Sequence, residues 1–176
     1  MATTNWNIDS THSEVQFKVK HMMISTVTGQ FNNFTATVVT EENDFSTAKI
    51  DFTAEISSIS TNNEQRDGHL KSGDFFDAEN HPQIFFKGNG MTKVSDEEYQ
   101  LNGELTMRGV TKPVSLKAEF GGIATDPWGM VRAGFTIEGK INRKDFGVSF
   151  SAVTEAGHLL VSDEIRLNIN AEFVKQ

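Results

Sequence analysis

The sequence has no cysteine, and this absence excludes several kinds of chemistry at once. Without thiols the chain can form no disulfide, no thiolate nucleophile and no zinc–thiolate site. Apolar runs are also short, since none exceeds Met22-Met23-Ile24 in length, and we therefore expect no transmembrane helix. With only 3 prolines and 14 glycines, the composition is not that of a collagen-like or disordered chain.

Basic residues are outnumbered by acidic ones, and the formal net charge is −8. This charge opposes binding to nucleic acid or to an anionic membrane surface, so we expect neither a nucleic-acid partner nor integral membrane association. The first residues, MATTNWNIDSTHSE, have neither the basic start nor the apolar core of a signal peptide. We therefore expect a cytoplasmic location, or a periplasmic one if a leader has been removed.

Phenylalanine is abundant: the 176 residues include 14 Phe against 1 Tyr. Phenylalanine adds a large apolar area without a polar group, and most of this area must be hidden from water. The length suits one domain, residues 1–176, with a sizeable core.

Apolar and polar residues alternate with a period of two through most of the chain. The alternation predicts about eight strands, around residues 14–21, 34–38, 48–56, 84–86, 101–107, 114–120, 131–141 and 165–173. Because no helical pattern separates most of them, the fold class is all-β with an antiparallel sheet, either a sandwich or a closed barrel. A barrel of about eight strands has room for one small ligand. Small residues among the inward positions, Gly103, Ala118, Ala133 and Gly139, would then leave a cavity or permit tight strand bending.

The segment Thr61–Pro82, TNNEQRDGHLKSGDFFDAENHP, interrupts this alternation. Asn62 or Asn63 can cap a short helix whose length Gly68 and Gly73 limit, so a helical excursion is predicted between strands. Its apolar residues, which include Phe75 and Phe76, favour a lid or plug packed on the barrel.

Histidines and neighbouring charges offer three sharper interpretations. His69 beside Asp67 has the composition of an acid–base pair, although Arg66 and Asp67 more often anchor a helix. The five histidines lack metal-binding spacing, so no metal site is expected unless distant strands assemble one. His21 shares the inward face of its strand, either as a core residue or against the polar end of a lipid.

Two turns carry paired positive charges that would suit a phosphate headgroup. Arg108 and Lys112 lie in MRGVTKPVSL, and Arg143 and Lys144 lie in INRKDFGVSF. The plainer interpretation is that these residues form turns between strands, with Pro113 at the start of a strand.

Several segments, read together, resemble the YceI-like polyisoprenoid-binding proteins. WNIDSTHSEVQFKVKHMMISTVTGQF is similar to the opening strands of that family, and RDGHLKSGDFF followed by His81-Pro82 is similar to its central signature. LNGELTMRGVTKPVSL, INRKDFGVSF and VSDEIRLNI resemble later segments in the same order. The resemblance extends from Trp6 to about Lys175.

The resemblance implies a lipocalin-like antiparallel barrel with an elongated apolar tunnel. It also implies a non-enzymatic role in binding, carrying or storing a long isoprenoid or similar amphiphile, such as an isoprenoid quinone or its precursor. No catalytic residues and no cofactor other than the bound lipid are expected from it, and a homodimer is plausible on the same ground.

An apolar wall is sufficient to bind such a ligand, because each buried CH₂-sized group contributes about 0.8 kcal/mol. The candidate ligand-binding residues are Phe17, Val19, His21, Phe34, Phe52, Phe75, Phe76, Phe85, Leu105, Met107, Phe135 and Phe146. Two alternatives stay open: an enzyme acting on an amphiphile with His21 or His69 as general base, and a solid-cored barrel acting through its acidic surface.

Overall fold

A computed structural model of the chain describes residues 2–150 and 161–176. His158, one of the five histidines, lies outside these residues. The described strands are β1 Thr3–Ile8, β2 Glu14–His21, β3 Ser25–Phe31, β4 Phe34–Glu41, β5 Asp44–Glu55, β6 Ile59–Ser60, β7 Gln83–Lys93, β8 Glu98–Met107, β9 Val110–Thr125, β10 Val131–Asn142 and β11 Val161–Lys175. One helix, α1, spans Glu64–Lys71, and short 3₁₀ turns cover Ser10–His12, Ile56–Ser58 and Arg143–Phe146. Within the described ranges no helix has the length and apolar character needed to span a membrane.

Eight strands form a closed antiparallel ring in the order β1-β4-β5-β7-β8-β9-β10-β11. The pairing of β1 with β11 closes it, with Trp6 opposite Lys175 and Ile8 opposite Phe173. The first part of β11 pairs instead with β2, where Leu167 lies opposite Phe17. β1 and β2 therefore follow each other along one side of β11, and the Ser10–His12 turn lies between them.

The predicted all-β barrel of about eight strands is confirmed, but one member of the ring differs from the prediction. The predicted set contained β2 and omitted β1, β3 and β6. β1 has the sequence TTNWNI, in which apolar alternation is limited to Trp6 and Ile8. Its strand conformation comes from pairing with β4 and β11, which a local pattern does not reveal.

The predicted helical excursion is also confirmed, and its anchors are now visible. Asn63 caps α1, because its Oδ1 accepts a hydrogen bond from the Arg66 backbone N–H at 3.0 Å. Both polar residues of the predicted anchor bind Thr61: Arg66 Nε donates to Thr61 Oγ1 at 2.8 Å, and Asp67 Oδ1 accepts from Thr61 N at 2.8 Å. The helix continues through Gly68, so the expected limit at that residue is wrong.

Glycines on the inner face are used for close packing of large neighbours. A Cβ at Gly139 would overlap the Leu116 side chain, and one at Gly103 would overlap both the Phe86 ring and the Lys87 carbonyl oxygen. The predicted interpretations were a cavity or tight strand bending, whereas Gly103 and Gly139 instead permit the close approach of neighbouring side chains. The Phe86 ring lies over Gly103, and the Leu116 side chain lies over Gly139.

Arg132 on β10 fixes the link between β1 and β2 to the barrel wall. Its Nη1 lies 2.8 Å from Asp9 Oδ2 and 3.2 Å from Glu172 Oε2. Its Nε lies 2.9 Å from Asp126 Oδ2. One guanidinium thus joins the β1–β2 link, β11 and the β9–β10 turn.

These contacts shift the ionisation of the groups that make them. The Thr11 hydroxyl, Arg132 and His12 hold the pKa of the Asp9 carboxyl well below its usual range. Arg132 and then the Met130 backbone N–H lower the pKa of Asp126, and the carboxylates in turn raise the pKa of Arg132. Both aspartates therefore favour the folded state while they are ionised.

Replacing Arg132 with Met is expected to lower Tm by several degrees at pH 7. Because the folded-state pKa values of Asp9 and Asp126 are depressed, their contribution is complete above about pH 4 and is lost as the pH falls further. The Tm difference between wild type and R132M should therefore narrow between pH 7 and pH 3 in calorimetric scans. Lys140 lies on the same strand as Arg132, and its ion pair with Glu164 is exposed. Lys140→Met should therefore have little effect on Tm. A Tm difference between wild type and R132M that does not change with pH would contradict this account.

Replacing Gly103 with Ala is expected to destabilise the barrel by about 1–3 kcal/mol, the usual cost of overpacking. The Lys87 carbonyl is backbone of the paired strand, so a rotamer change cannot relieve the overlap. Gly134→Ala is the matched control, since a Cβ there meets no atom within 4 Å. Urea denaturation measures both changes, and equal stabilities of the two variants would show that the glycine packing is unimportant.

Candidate functional site

The interior of the barrel holds an apolar cavity of about 190 Å³. This volume is more than ten times the roughly 10–15 Å³ that a single water requires on the same measure. Its wall is formed by Ile8, Val15, Phe17, Val19, Phe31, Ala36, Val38, Phe45, Ile50, Phe52, Ala54, Leu70, Phe75, Phe76, Ile84, Phe86, Met91, Leu101, Leu105, Met107, Val114, Leu116, Ala118, Phe135, Ile137, Ile141, Arg143, Val148, Val161, Ile165, Leu167, Ile169, Ala171 and Phe173. All of these side chains are apolar except that of Arg143.

The cavity is elongated along the barrel. β11 lines it at alternate positions from Ile165 to Phe173, a stretch about 26 Å long at the usual rise per residue. With the tilt of strands in such barrels, this corresponds to about 20 Å along the axis. The shape therefore suits a long, narrow molecule.

An aromatic cluster occupies the end of the cavity near the β9–β10 turn. The Phe45 ring centroid lies 5.2 Å from that of Trp6 and 5.0 Å from that of Phe135. Phe135 in turn lies 6.3 Å from Phe173, and all four residues are buried. Rings in these tilted and edge-to-face arrangements pack favourably, and the cluster closes this end.

Residues of the helical excursion border the opposite end. Phe75 is 6% exposed, and both it and Phe76 line the cavity. Phe76 packs edge-on against Phe31, with ring centroids 6.2 Å apart. Arg108 fixes the loop, because its Nη1 donates to the carbonyl oxygens of Gly73 and Phe75 at 2.7 Å each. The excursion is therefore a plug that packs on the barrel, as predicted.

The structure brings most of the candidate residues to the cavity wall. The lining includes Phe17, Val19, Phe52, Phe75, Phe76, Leu105, Met107 and Phe135. Phe34 and Phe146 are buried but do not line it. His21 is half-buried at the end of β2 and does not line it either. Contact of the lining residues with a ligand stays a prediction.

Phe85 lies on the outer face of β7, where 40% of it is exposed, so its predicted inward orientation is wrong. Its neighbours Ile84 and Phe86 point into the cavity. Three consecutive apolar residues do not show which of them face inward, and the register with β5 and β8 decides it.

Buried candidates that miss the cavity have clear packing partners or positions. The Phe34 ring stacks beside Phe52 at a centroid distance of 6.4 Å, and of the two only Phe52 lines the cavity. Phe146 is only 1% exposed and is the last residue of the Arg143–Phe146 turn, which follows β10. The cavity wall also contains residues outside the predicted ligand-binding set, among them Phe31, Phe45, Ile137, Leu167, Ile169 and Phe173. The alternation predicts an inward position for Ile137, Leu167, Ile169 and Phe173, whereas Phe31 and Phe45 lie outside the predicted strands.

The carboxylate partner of His69 differs from the one that the sequence suggested. His69 Nε2 lies 2.8 Å from Asp74 Oδ2, while Asp67 binds Thr61. The His69 side chain is 46% exposed and packs edge-on against Phe75 at 5.0 Å. Neither His69 nor His21 lines the cavity.

One grouping of potential metal ligands occurs in the described part of the chain, formed by Asp9, His12 and Glu172. Arg132 already contacts a carboxylate oxygen of both acidic residues, at 2.8 and 3.2 Å. A cation there would compete with this guanidinium, and the grouping is explained as an ion-pair network.

Comparisons with known proteins agree with this architecture. A family model for the YceI-like domain matches residues 6–173. A UPF0312 protein of Staphylococcus aureus (strain N315) is 37% identical over 171 residues, which are 97% of each chain. The crystal structure of the Campylobacter jejuni YCEI protein superposes with a TM-score of 0.78 at 36% identity, covering 90% of this chain and 91% of that one.

The same fold also occurs in a structure with much lower sequence identity. A polyisoprenoid binding domain from Saccharophagus degradans superposes with a TM-score of 0.74 at 12% identity, covering 97% of this chain and 98% of that one. At this identity the likeness concerns the fold alone. The domain match and the close relatives together show that the chain belongs to the YceI-like family.

Proposed function

We propose that this protein binds a long apolar lipid of the isoprenoid type inside the barrel and carries or stores it. The observation that carries the proposal is the elongated cavity, in which all lining side chains but one are apolar. A ligand enclosed there would lose contact with water along its length. Each buried CH₂-sized group contributes about 0.8 kcal/mol, so several isoprene units suffice for firm binding.

The relatives support the same function. The domain from Saccharophagus degradans that shares this fold is described as polyisoprenoid binding. A ring of eight strands can leave a hollow along its axis, and a bound lipid chain requires such a hollow. The proposal requires no cofactor besides the lipid itself, and homodimer formation stays a prediction.

Replacing both Phe75 and Phe76 with Ser is expected to reduce the lipid that co-purifies with the protein by at least about tenfold. The two rings border one end of the cavity, and their loss removes apolar contacts from the ligand and admits water. Native mass spectrometry of freshly purified protein measures the bound fraction, and organic extraction identifies the lipid.

Phe85→Ser is the matched control, because it removes a ring from the outer face of β7. This variant should retain as much lipid as wild type. Far-ultraviolet circular dichroism should show the same sheet content in all three proteins. Unchanged lipid content in the Phe75/Phe76 variant, or an empty wild-type protein that also fails to take up isoprenoids, would contradict the proposal.

Histidine substitutions separate a carrier from an enzyme that uses His21 or His69 as a base. Because neither side chain lines the cavity, His21→Phe and His69→Gln should each bind lipid within about twofold of wild type. Incubation of the wild-type protein with its extracted lipid should return that lipid unchanged. Conversion of the lipid by wild type, with loss of conversion in either variant, would establish the enzyme instead.

A further inference from the structure

An apolar turn joins β2 to β3 and holds its side chains in water. It consists of Met22, Met23 and Ile24, of which Met23 is 58% and Ile24 is 74% exposed. Met22 and Met23 both have positive φ angles, 52° and 62°, a conformation that favours glycine or asparagine. The Ile24 backbone N–H donates to the His21 carbonyl oxygen at 3.2 Å and closes the turn. The local backbone therefore does not call for these apolar residues, and their position in water needs another explanation.

The apolar turn lies at the same end of the barrel as the plug. Neighbouring strands from β8 to β11 and on to β2 are antiparallel, so β8 and β2 both end where β11 begins. Arg108 follows β8 and binds carbonyl oxygens of the plug. His21, the last residue of β2, lies opposite Val161, which lines the cavity. The apolar turn is thus close to the end of the cavity that the plug borders.

A row of cations crosses the outer face of the barrel beside this turn. Lys18 on β2 lies opposite Arg166 on β11, which lies opposite Lys140 on β10. Each of them adjoins a residue that lines the cavity, so all three face outward. Lys20 and Lys144, both exposed, extend this basic row toward the end of the barrel. Like charges in opposite positions of neighbouring strands destabilise a sheet, so the stability of the fold does not explain the row.

Carboxylates compensate the basic row only in part. Glu164 Oε1 lies 3.7 Å from Lys140 Nζ, and Asp163 Oδ1 lies 3.4 Å from Lys144 Nζ. Among residues 2–150 and 161–176, the other three cations of the row form no ion pair with a carboxylate. This face of the barrel therefore offers positive charge to an external anion.

The opposite end of the barrel is acidic. The β4–β5 turn carries Glu41, Glu42 and Asp44, and the β7–β8 turn carries three acidic residues at 96–98. Trp128, in the β9–β10 turn of the same end, is 83% exposed. The net charge of −8 is a sum over the whole molecule, whereas salt screens each exposed charge beyond about 8–10 Å. An anionic surface would therefore repel the acidic end and attract the basic row.

We propose that the apolar turn and the basic row together dock the protein on the surface of a phospholipid membrane that contains anionic lipids. The apolar side chains enter the headgroup layer while the cations meet the lipid phosphates. An acidic protein would match the cations but not the apolar turn. The inference goes beyond the proposed function, because it concerns the outer surface and holds whether or not the cavity is filled. Docking in this orientation turns the plug toward the bilayer, where a carried lipid would enter or leave.

Co-sedimentation of the whole chain with vesicles tests the proposal. One set of vesicles is phosphatidylcholine alone, and in the other about one third of the lipid is phosphatidylglycerol. Wild type should bind the mixed vesicles at least about tenfold more tightly, and about 0.5 M salt should remove the difference. Equal binding to both sets at low salt would overturn the proposal. Binding to neither set would also overturn it and leave an acidic protein as the partner of the row.

Charge variants identify the row. Lys18→Gln with Arg166→Gln should weaken binding to the mixed vesicles by at least about tenfold. Lys49→Gln with Lys87→Gln is the matched control, because these exposed lysines lie across the ring on β5 and β7 and their loss changes the net charge equally. The control should bind within about threefold of wild type. Equal losses in the two double variants would overturn the assignment of the row.

Serine variants test the apolar turn. Met23→Ser with Ile24→Ser should weaken binding by about tenfold and preserve its salt dependence, because apolar contacts are lost and the cations are not. Trp128→Ser removes an exposed apolar side chain from the acidic end and should bind as wild type does. Unchanged binding in the Met23/Ile24 variant would overturn the role of the turn.

Tryptophan fluorescence shows which end meets the membrane. Trp6 is buried and Trp128 is exposed at the acidic end, so the emission wavelength of wild type should not change when mixed vesicles are added. Ile24→Trp places an indole in the apolar turn, and its emission should shift to shorter wavelength as the ring leaves water. A blue shift in wild type would show that the acidic end docks, which would overturn the inference. Every variant should keep the lipid that co-purifies with wild type, so a failure of docking is distinct from a failure of the carrier function.

Discussion

The double pairing of β11 is the constraint on which the rest of the structure depends. On one side β11 pairs with β10 from Asn142 to Arg132, and on the other it pairs first with β2 and then with β1. Because β1 also pairs with β4, this arrangement closes the sheet into a ring and removes open edges there. Closure gives each ring strand one face toward a common interior, and alternate side chains must share that space.

The interior is hollow because of how its side chains are arranged. Aromatic rings lie at both ends of the cavity, around Phe45 and Phe135 at one end and around Phe31 and Phe76 at the other. Gly103 and Gly139 allow Phe86 and Leu116 to lie flat against the wall, so that large residues leave the axis clear. An eight-stranded barrel is near the width at which side chains either fill the interior or leave one slot. Here they leave a slot.

Two arginines at opposite ends of β10 use their guanidinium groups differently. Arg132 works in a half-exposed network that joins the β1–β2 link to the wall, and its charge is balanced by three carboxylates. Arg143 is more deeply buried, and it is bonded to neutral carbonyls beside a shared carboxylate. Both guanidinium groups thus hold separate segments of the chain together, Arg132 through carboxylates and Arg143 mainly through backbone carbonyls.

The sequence by itself determined the strand character of most of the chain, the single helical excursion and the apolar interior. Period-two alternation is a local property, and it placed residues such as Phe17, Leu105 and Phe135 correctly on the inner face. An asparagine cap at Asn62 or Asn63 was also predicted locally, because capping depends on residues within one turn, and the structure identifies Asn63.

Only the tertiary structure decided which strands close the ring, which apolar residues face the cavity and which carbonyl oxygens the arginines at the strand ends bind. β1 has only two alternating apolar residues, Trp6 and Ile8, and its place in the ring comes from pairing with β4 and β11. Phe85 and Phe86 are adjacent and equally apolar, yet cross-strand register turns one outward and the other inward. Arg108 and Arg143 each directly follow a strand, yet Arg108 donates to the carbonyl oxygens of Gly73 and Phe75, whereas Arg143 donates to those of Val148, Val161 and Ser162. Each of these outcomes depends on contacts between residues far apart in the chain, and local pattern carries no information about them.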